Sequence, residues 1–213
     1  MFWLPEGQAR VLKAVARIAR EEHSPTAHDL LPLLAIRHQS LRQHLEALAA
    51  KGYVVLYPQG RGRPTHIELT PVGRLATGLA IPLLGRIAAG RPAEAWEEVE
   101  AILPLPGRPG LFALKVQGDS MAEFFLDGDI VVVERGPAPR PGEIAAVMHQ
   151  GETTLKYVYP EGDRVILRPH NPLFPTLELP SDEVEIQGVY RFLLRGEEAL
   201  RAFGLIQTFG GAR

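Results

Sequence analysis

Apolar residues recur at helical spacing through the first fifty positions of the chain. From Pro5 to about Glu22, Val11, Leu12, Val15, Ile18 and Ala19 fall on one face while Lys13, Arg17 and Arg20 fall on the other, which predicts an amphipathic helix. His23-Ser24-Pro25 breaks the pattern, and Thr26 with Asp29 three positions later is a capping-box start for a second short helix, TAHDLLPLLA. Pro32 inside that stretch removes one backbone donor and is expected to kink it. In RHQSLRQHLEALAAKG the stripe is Leu41, Leu45 and Leu48, with Gly52 as the stop. The period then changes to that of strands in YVVLY (53 to 57) and THIEL (65 to 69), joined by PQGRGRP. Thr70 followed by Pro71 opens one more short helix, and a boundary is expected near residue 80.

Three helices and a hairpin are the order of a winged helix-turn-helix. In that arrangement the third helix enters the major groove and the hairpin is the wing. The outward face at the start of the third helix carries Arg37, His38, Gln39, Ser40, Arg42 and Gln43, and the wing tip carries Arg61 and Arg63. Arg and Gln can hydrogen-bond base edges, and wing arginines can reach phosphates or the minor groove. A protein-interaction module with a solvated charged face uses the same architecture. Basic and polar groups on both the helix face and the wing favour duplex DNA. For His38 and His44, a phosphate contact and a solvated face remain equal readings.

Beyond residue 80 the helical period fades. LFALKVQ (111 to 117), DIVVVERG (129 to 136), EIAAVMH (143 to 149), ETTLKYVY (152 to 159), RVILRP (164 to 169) and VEIQGVYRFLLR (184 to 195) are short, rich in β-branched residues and punctuated by Gly and Pro. They predict a mainly-β domain over 81–213, so the chain is α+β with two domains, 1–80 and 81–213. WEEVEAI (96 to 102) reads as a helical turn or an irregular crossing segment.

Charge follows the same division. Residues 1–80 hold ten Lys+Arg against six Asp+Glu, and the remainder holds thirteen against nineteen, so a net charge of -2 hides a basic front and an acidic back. Five of the seven histidines lie in the front part, where mild acid would add to the positive potential. The absence of cysteine excludes disulfides, thiolate catalysis and Cys-based metal sites. The scattered histidines show no ligand spacing, so neither a metal nor a cofactor is expected. The first twenty residues carry Arg or Lys too often for a signal-peptide core or a membrane span, and a cytoplasmic location is expected. A single asparagine (Asn171), 19 prolines and a preference for Arg over Lys fit either a thermophile or a GC-rich genome.

Candidate chemistry lies in VQGDSMAEFFLDGDIVVV. Gly118, Ser120 and Ala122 imitate a Gly-x-Ser-x-Gly elbow, but that motif needs a long helix after the serine, and Asp127-Gly128-Asp129 turns the chain into a strand instead. A Ser-x-x-Lys pair is also absent, because Glu123 stands at the fourth position. A serine can still take a lysine from elsewhere in the fold as its base, and this domain offers Lys115 and Lys156. Lys156 has apolar neighbours, so it is either a snorkelling surface residue or a buried amine that loses its proton easily.

IPLLGRIAAGRP, LFALKVQGDSM, LDGDIVVV and TTLKYVYPEG stand in the order and near the spacing of the LexA repressor family, which the chain resembles. The resemblance implies a winged-helix domain joined to a self-cleaving, signal-peptidase-like β domain with a Ser-Lys dyad. It implies Ser120 as nucleophile, Lys156 as base and Ala89-Gly90 as the scissile bond, presented by the small residues of the Ala88-Ala89-Gly90 turn. It also implies a homodimer on double-stranded operator DNA, with a RecA filament on single-stranded DNA as co-protease in a DNA-damage response. A non-cleaving regulator whose β domain dimerises or senses another signal is the alternative, and a ligand-sensing MarR-like regulator a further one. The chain departs from the family pattern in a Ser120–Asp129 stretch one residue shorter, a short basic turn before the third helix, and the added tail GEEALRAFGLIQTFGGAR.

Overall fold

The structure, a computed structural model, describes residues 4–20, 24–60, 63–84, 99–105, 107, 110–202 and 207–208. The chain divides into two compact units, Met1–Ala80 with Pro104–Gly107, and Ile81–Leu103 with Arg108–Arg213.

In the first unit, α1 (Glu6–Ala19), α2 (Ala27–Leu34) and α3 (His38–Ala50) precede a hairpin of β1 (Val54–Tyr57) and β2 (His66–Leu69). The apolar stripes meet as expected. Val11, Leu12, Val15, Leu30, Leu41, Leu45, Leu48, Val54 and Ile67 are buried in one core. The Asp29 carboxylate accepts from the Thr26 backbone N–H at 2.9 Å and from its hydroxyl at 2.6 Å, fixing the start of α2. That helix runs through Pro32 rather than ending there, because the carbonyl its ring orphans belongs to exposed His28 and the helix stops two residues later, at Ala35 in the left-handed region (φ 51). Ile67 N–H donates to the Pro25 carbonyl at 2.9 Å, tying the hairpin to the loop before α2. Then α4 (Pro71–Ala76) is capped by Thr70, whose hydroxyl accepts from Gly73 N–H at 3.0 Å. Gly73 is required there, since a Cβ would collide with the Tyr53 carbonyl oxygen.

The second unit is built on one coiled ten-stranded sheet. Its strands are β3 (Ile81–Leu84), β4 (Val99–Leu103), β5 (Leu111–Lys115), β6 (Ile130–Glu134), β7 (Glu143–His149), β8 (Glu152–Glu161), β9 (Arg164–Arg168), β10 (Leu177–Pro180), β11 (Glu185–Leu194) and β12 (Gln207–Thr208). Across the sheet they run β10-β9-β8-β7-β11-β6-β5-β3-β4-β12, antiparallel except for β3 beside β5. Ten residues long, β11 pairs with β7 at one end and β6 at the other, and its register shifts at Ile186/Gly188 and Tyr190/Phe192. Such bulges increase local twist and let one strand serve two directions of the sheet. From Val99 onward the WEEVEAI segment is strand β4 and not a helical turn: it pairs with β3 and places Ala101, Ile102 and Leu103 in the interior. The tail contributes a short helix, α5 (Glu197–Ala202), and β12, which pairs with β4.

Candidate active site

Ser120 stands on the turn between β5 and β6. The turn leaves β5 through Gly118, whose φ of 76 suits glycine, and its base is closed by Val116 N–H to Asp129 O at 2.7 Å and Gly128 N–H to Val116 O at 3.0 Å. Asp127 accepts from Gly118 N–H at 3.0 Å. Phe125, fully buried, plugs the turn into the core beside Met121, Leu114 and Leu155. Asp129 is buried as well. Its carboxylate accepts from Leu126 N–H at 2.9 Å and from both arms of the Arg195 guanidinium at 2.7 to 3.2 Å, while Arg195 also reaches the Phe124 carbonyl at 3.2 Å. The hydrogen bonds from Arg195 hold the Asp129 carboxyl below the usual carboxylate range. A turn pinned at both ends and by its own side chains holds its serine in one place.

Lys156 comes from the middle of β8, directly opposite Ala145 of β7. Small neighbours on β7 leave room for its stem, and the residue is 7% exposed. The amine lies 2.9 Å from Ser120 Oγ, 2.6 Å from Thr154 Oγ1 and 3.0 Å from the Leu155 carbonyl. None of these partners carries a charge. Burial therefore acts unopposed and pulls the Lys156 ammonium down from 10.5 to about 8. Of the two lysines open to the sequence reading, Lys115 is exposed on β5, and the amine beside the hydroxyl is that of Lys156.

Sequence reasoning did not find Thr154 or Asn171. Thr154 lies two positions before Lys156 on the same strand, so the period-two alternation puts both side chains on one face, a signal that was available. Asn171 comes from the loop after β9, and nothing local announces its contact with the serine turn. Its N–H donates to the Ser120 carbonyl at 3.1 Å and its side-chain amide donates to the Asp119 carbonyl at 3.0 Å. The expected scissile residues, Ala89 and Gly90, lie outside the described residues, as does Arg61.

In the first unit, Arg37, His38, Gln39, Arg42 and Gln43 are exposed over the N-terminal half of α3, and Ser40 is half-buried. Arg63 is exposed at the start of β2's approach. Arg42 donates to Glu46 one turn on at 2.8 Å, which directs its guanidinium along the helix. The His44 ring packs over Gly7 of α1, where a Cβ would come within 2.8 Å of Cε1, so this histidine belongs to the helix packing rather than to a free face. Among the described residues, no cluster of three or more His, Asp or Glu is arranged to hold a metal ion, and no helix is long and apolar enough to cross a membrane.

Residues 82–191 match the family Peptidase S24-like, a span that holds both Ser120 and Lys156. Over longer spans the chain is similar to curated LexA repressors. That of Leptospira interrogans serogroup Icterohaemorrhagiae serovar copenhageni is 32% identical over 198 residues, covering 88% of this chain and 98% of the relative. That of Desulfatibacillum aliphaticivorans is 35% identical over 202 residues, covering 90% and 98%, and that of Streptomyces avermitilis is 34% identical over 207 residues, covering 90% and 88%. With a family match over its β unit and full-length relatives above 30% identity, the chain belongs to the LexA repressor family: it is a LexA-like transcriptional repressor with a Peptidase S24-like, self-cleaving type of fold.

Proposed function

We propose that this repressor binds operator DNA as a homodimer through α3 and the wing, and inactivates itself by cutting its own chain between Ala89 and Gly90. The observation that carries the second half is the uncharged setting of a buried amine 2.9 Å from a serine hydroxyl. Ser120 Oγ attacks the Ala89 carbonyl carbon as the proton of the hydroxyl passes to neutral Lys156. The tetrahedral intermediate collapses, the C–N bond to Gly90 breaks, and the Lys156 ammonium returns that proton to the departing amine. Water, with Lys156 again as base, then hydrolyses the ester on Ser120 and leaves a carboxylate on Ala89. Because the bond and its nucleophile share one chain, effective concentration is high without any substrate binding, and the rate depends on how often the segment enters the site and on the neutral fraction of Lys156. A RecA filament on single-stranded DNA would act by favouring entry, which makes the cut a response to DNA damage. Separating the two units would weaken dimeric operator binding and release the repressed genes.

Alkaline incubation of the purified chain tests this reading. The expected products are residues 1–89 and 90–213, and a chain that stays intact would favour a non-cleaving regulator. DNA recognition carries its own prediction. Alanine at Gln39 or Gln43 is expected to cost roughly 1–3 kcal/mol at a specific operator and to relax selectivity at the base it reads. Alanine at Arg63 is expected instead to weaken all duplexes alike and to reduce the salt slope of binding by about one unit. Titrations at several salt concentrations separate the two. Equal effects of all three substitutions on random and selected duplexes would remove α3 as the reader.

A further inference from the structure

Asn171 is the one asparagine in the chain, and neither the proton relay nor DNA binding uses it. Its position relative to Ser120 is specific. The side-chain amide donates to the Asp119 carbonyl at 3.0 Å, joining the Ala122 N–H that donates to the same oxygen at 3.1 Å, the backbone N–H donates to the Ser120 carbonyl at 3.1 Å, and Oδ1 accepts from Leu173 N–H at 3.0 Å, which fixes the rotamer. The next residue back strengthens the tie, since His170 N–H donates to Met121 Sδ at 3.3 Å. The loop thus grips two successive peptide planes of the serine turn by their oxygens.

Each carbonyl held in this way belongs to a peptide whose other end is an N–H beside the nucleophile. The Asp119 carbonyl shares its plane with Ser120 N–H, and the Ser120 carbonyl shares its plane with Met121 N–H. In a planar trans peptide the N–H points opposite to the C=O, so fixing the oxygen fixes the donor. Among the described residues, neither of these two N–H groups has an acceptor. Donors that are oriented but unused suit the developing oxyanion of an attacked carbonyl, provided they are held before the charge appears.

We propose that Asn171 is a positioning residue for the oxyanion site of the self-cleavage reaction: by holding the carbonyls of Asp119 and Ser120 it aims the N–H groups of Ser120 and Met121 at the oxygen that becomes negative. This rests on the Ser120–Lys156 reading given above. Asn171 touches no reacting atom in it. The role separates from that of Lys156 by its effect on pH dependence, because the lysine decides at which pH the reaction switches on and the oxyanion donors decide how fast it runs once the lysine is neutral.

The test is the pH profile of alkaline self-cleavage for the intact chain, Asn171→Ala and Asn171→Asp. The aspartate variant keeps the acceptor for Leu173 N–H and the backbone donor, and loses only the amide donor to Asp119. Both variants are expected to lose about tenfold to a hundredfold of the plateau rate, less than the 10²–10³ of deleting an oxyanion donor outright. In Asn171→Ala, which adds no charge, the midpoint of the profile should stay where it is in the unsubstituted chain. Operator affinity should be unchanged in both. A plateau equal to that of the unsubstituted chain, or a loss in Asn171→Ala that appears only as a moved midpoint, would overturn the proposal. So would failure of both variants to fold, which would make Asn171 a structural residue. An unsubstituted chain that never cleaves would remove the peptidase reading first, and this role with it.

Discussion

Ser120→Ala is expected to leave the chain intact at every pH, a loss on the order of 10⁴-fold or more in self-cleavage, while operator binding stays as it was. The size follows from what is removed. Among the described residues the other hydroxyl bonded to the Lys156 amine is Thr154 Oγ1, which belongs to β8 beside the lysine and not to the turn that carries Ser120. The fold should tolerate the change, because Ser120 contributes one acceptor to Lys156 and the amine keeps Thr154 Oγ1 and the Leu155 carbonyl. Turn geometry rests on Phe125, Asp127 and the Asp129–Arg195 pair rather than on the hydroxyl. Lys156→Arg makes the complementary test. A guanidinium keeps the charge and the donors but does not deprotonate in a protein, so it should abolish cleavage as completely as Lys156→Met. Gel analysis of the three variants after prolonged alkaline incubation checks the set. Cleavage at the same bond in Ser120→Ala would dismiss Ser120 as the nucleophile.

The second large effect is on pH. Lys156 is displaced to about 8 by burial, and the base is its neutral form. Below that value the neutral fraction rises tenfold for each unit of pH, and above it the fraction saturates. Intrinsic self-cleavage should therefore climb about tenfold per unit from pH 6 to near 8 and flatten beyond about 9. At pH 7 roughly a tenth of the molecules would hold a neutral Lys156. An exposed lysine at its ordinary 10.5 would instead give a rate still climbing past pH 10. Timed quenches across this range, at constant ionic strength, distinguish the two profiles. A rate that falls with rising pH would contradict the assignment of the base.

The winged-helix unit was legible almost residue by residue, because each of its helices buries one stripe and exposes the rest, and the 3.6 period records that directly. Leu41, Leu45 and Leu48 fell on the buried face as the spacing required. The strands of the β unit were legible as short apolar runs bounded by Gly and Pro, most of them rich in β-branched residues, such as Ile130–Val133 in β6 and Val165–Ile166 in β9, yet their order in the sheet was not, since pairing is decided by contacts far apart in sequence. The same cause explains WEEVEAI. Its residues suit a helix locally, and pairing with β3 on one side and β12 on the other makes Val99–Leu103 a strand. The Ser120–Lys156 contact was half legible: the residues themselves offered two lysines, and the burial that separates Lys156 from Lys115 is a property of the folded sheet. Asn171 was not legible at all, because its meaning lies in two carbonyls more than fifty positions away along the chain. Pro32 taught the opposite lesson, that a helix of eight residues can absorb a proline when the carbonyl it frees lies on an exposed residue.

Everything proposed for the β unit depends on the Lys156 amine giving up its proton near neutrality. That is measured directly by following the Lys156 Nζ resonance of the intact Ser120→Ala chain by nitrogen-15 NMR as pH is raised. A midpoint at about 8 is expected, and an amine that stays protonated up to its ordinary 10.5 would rule Lys156 out as the base.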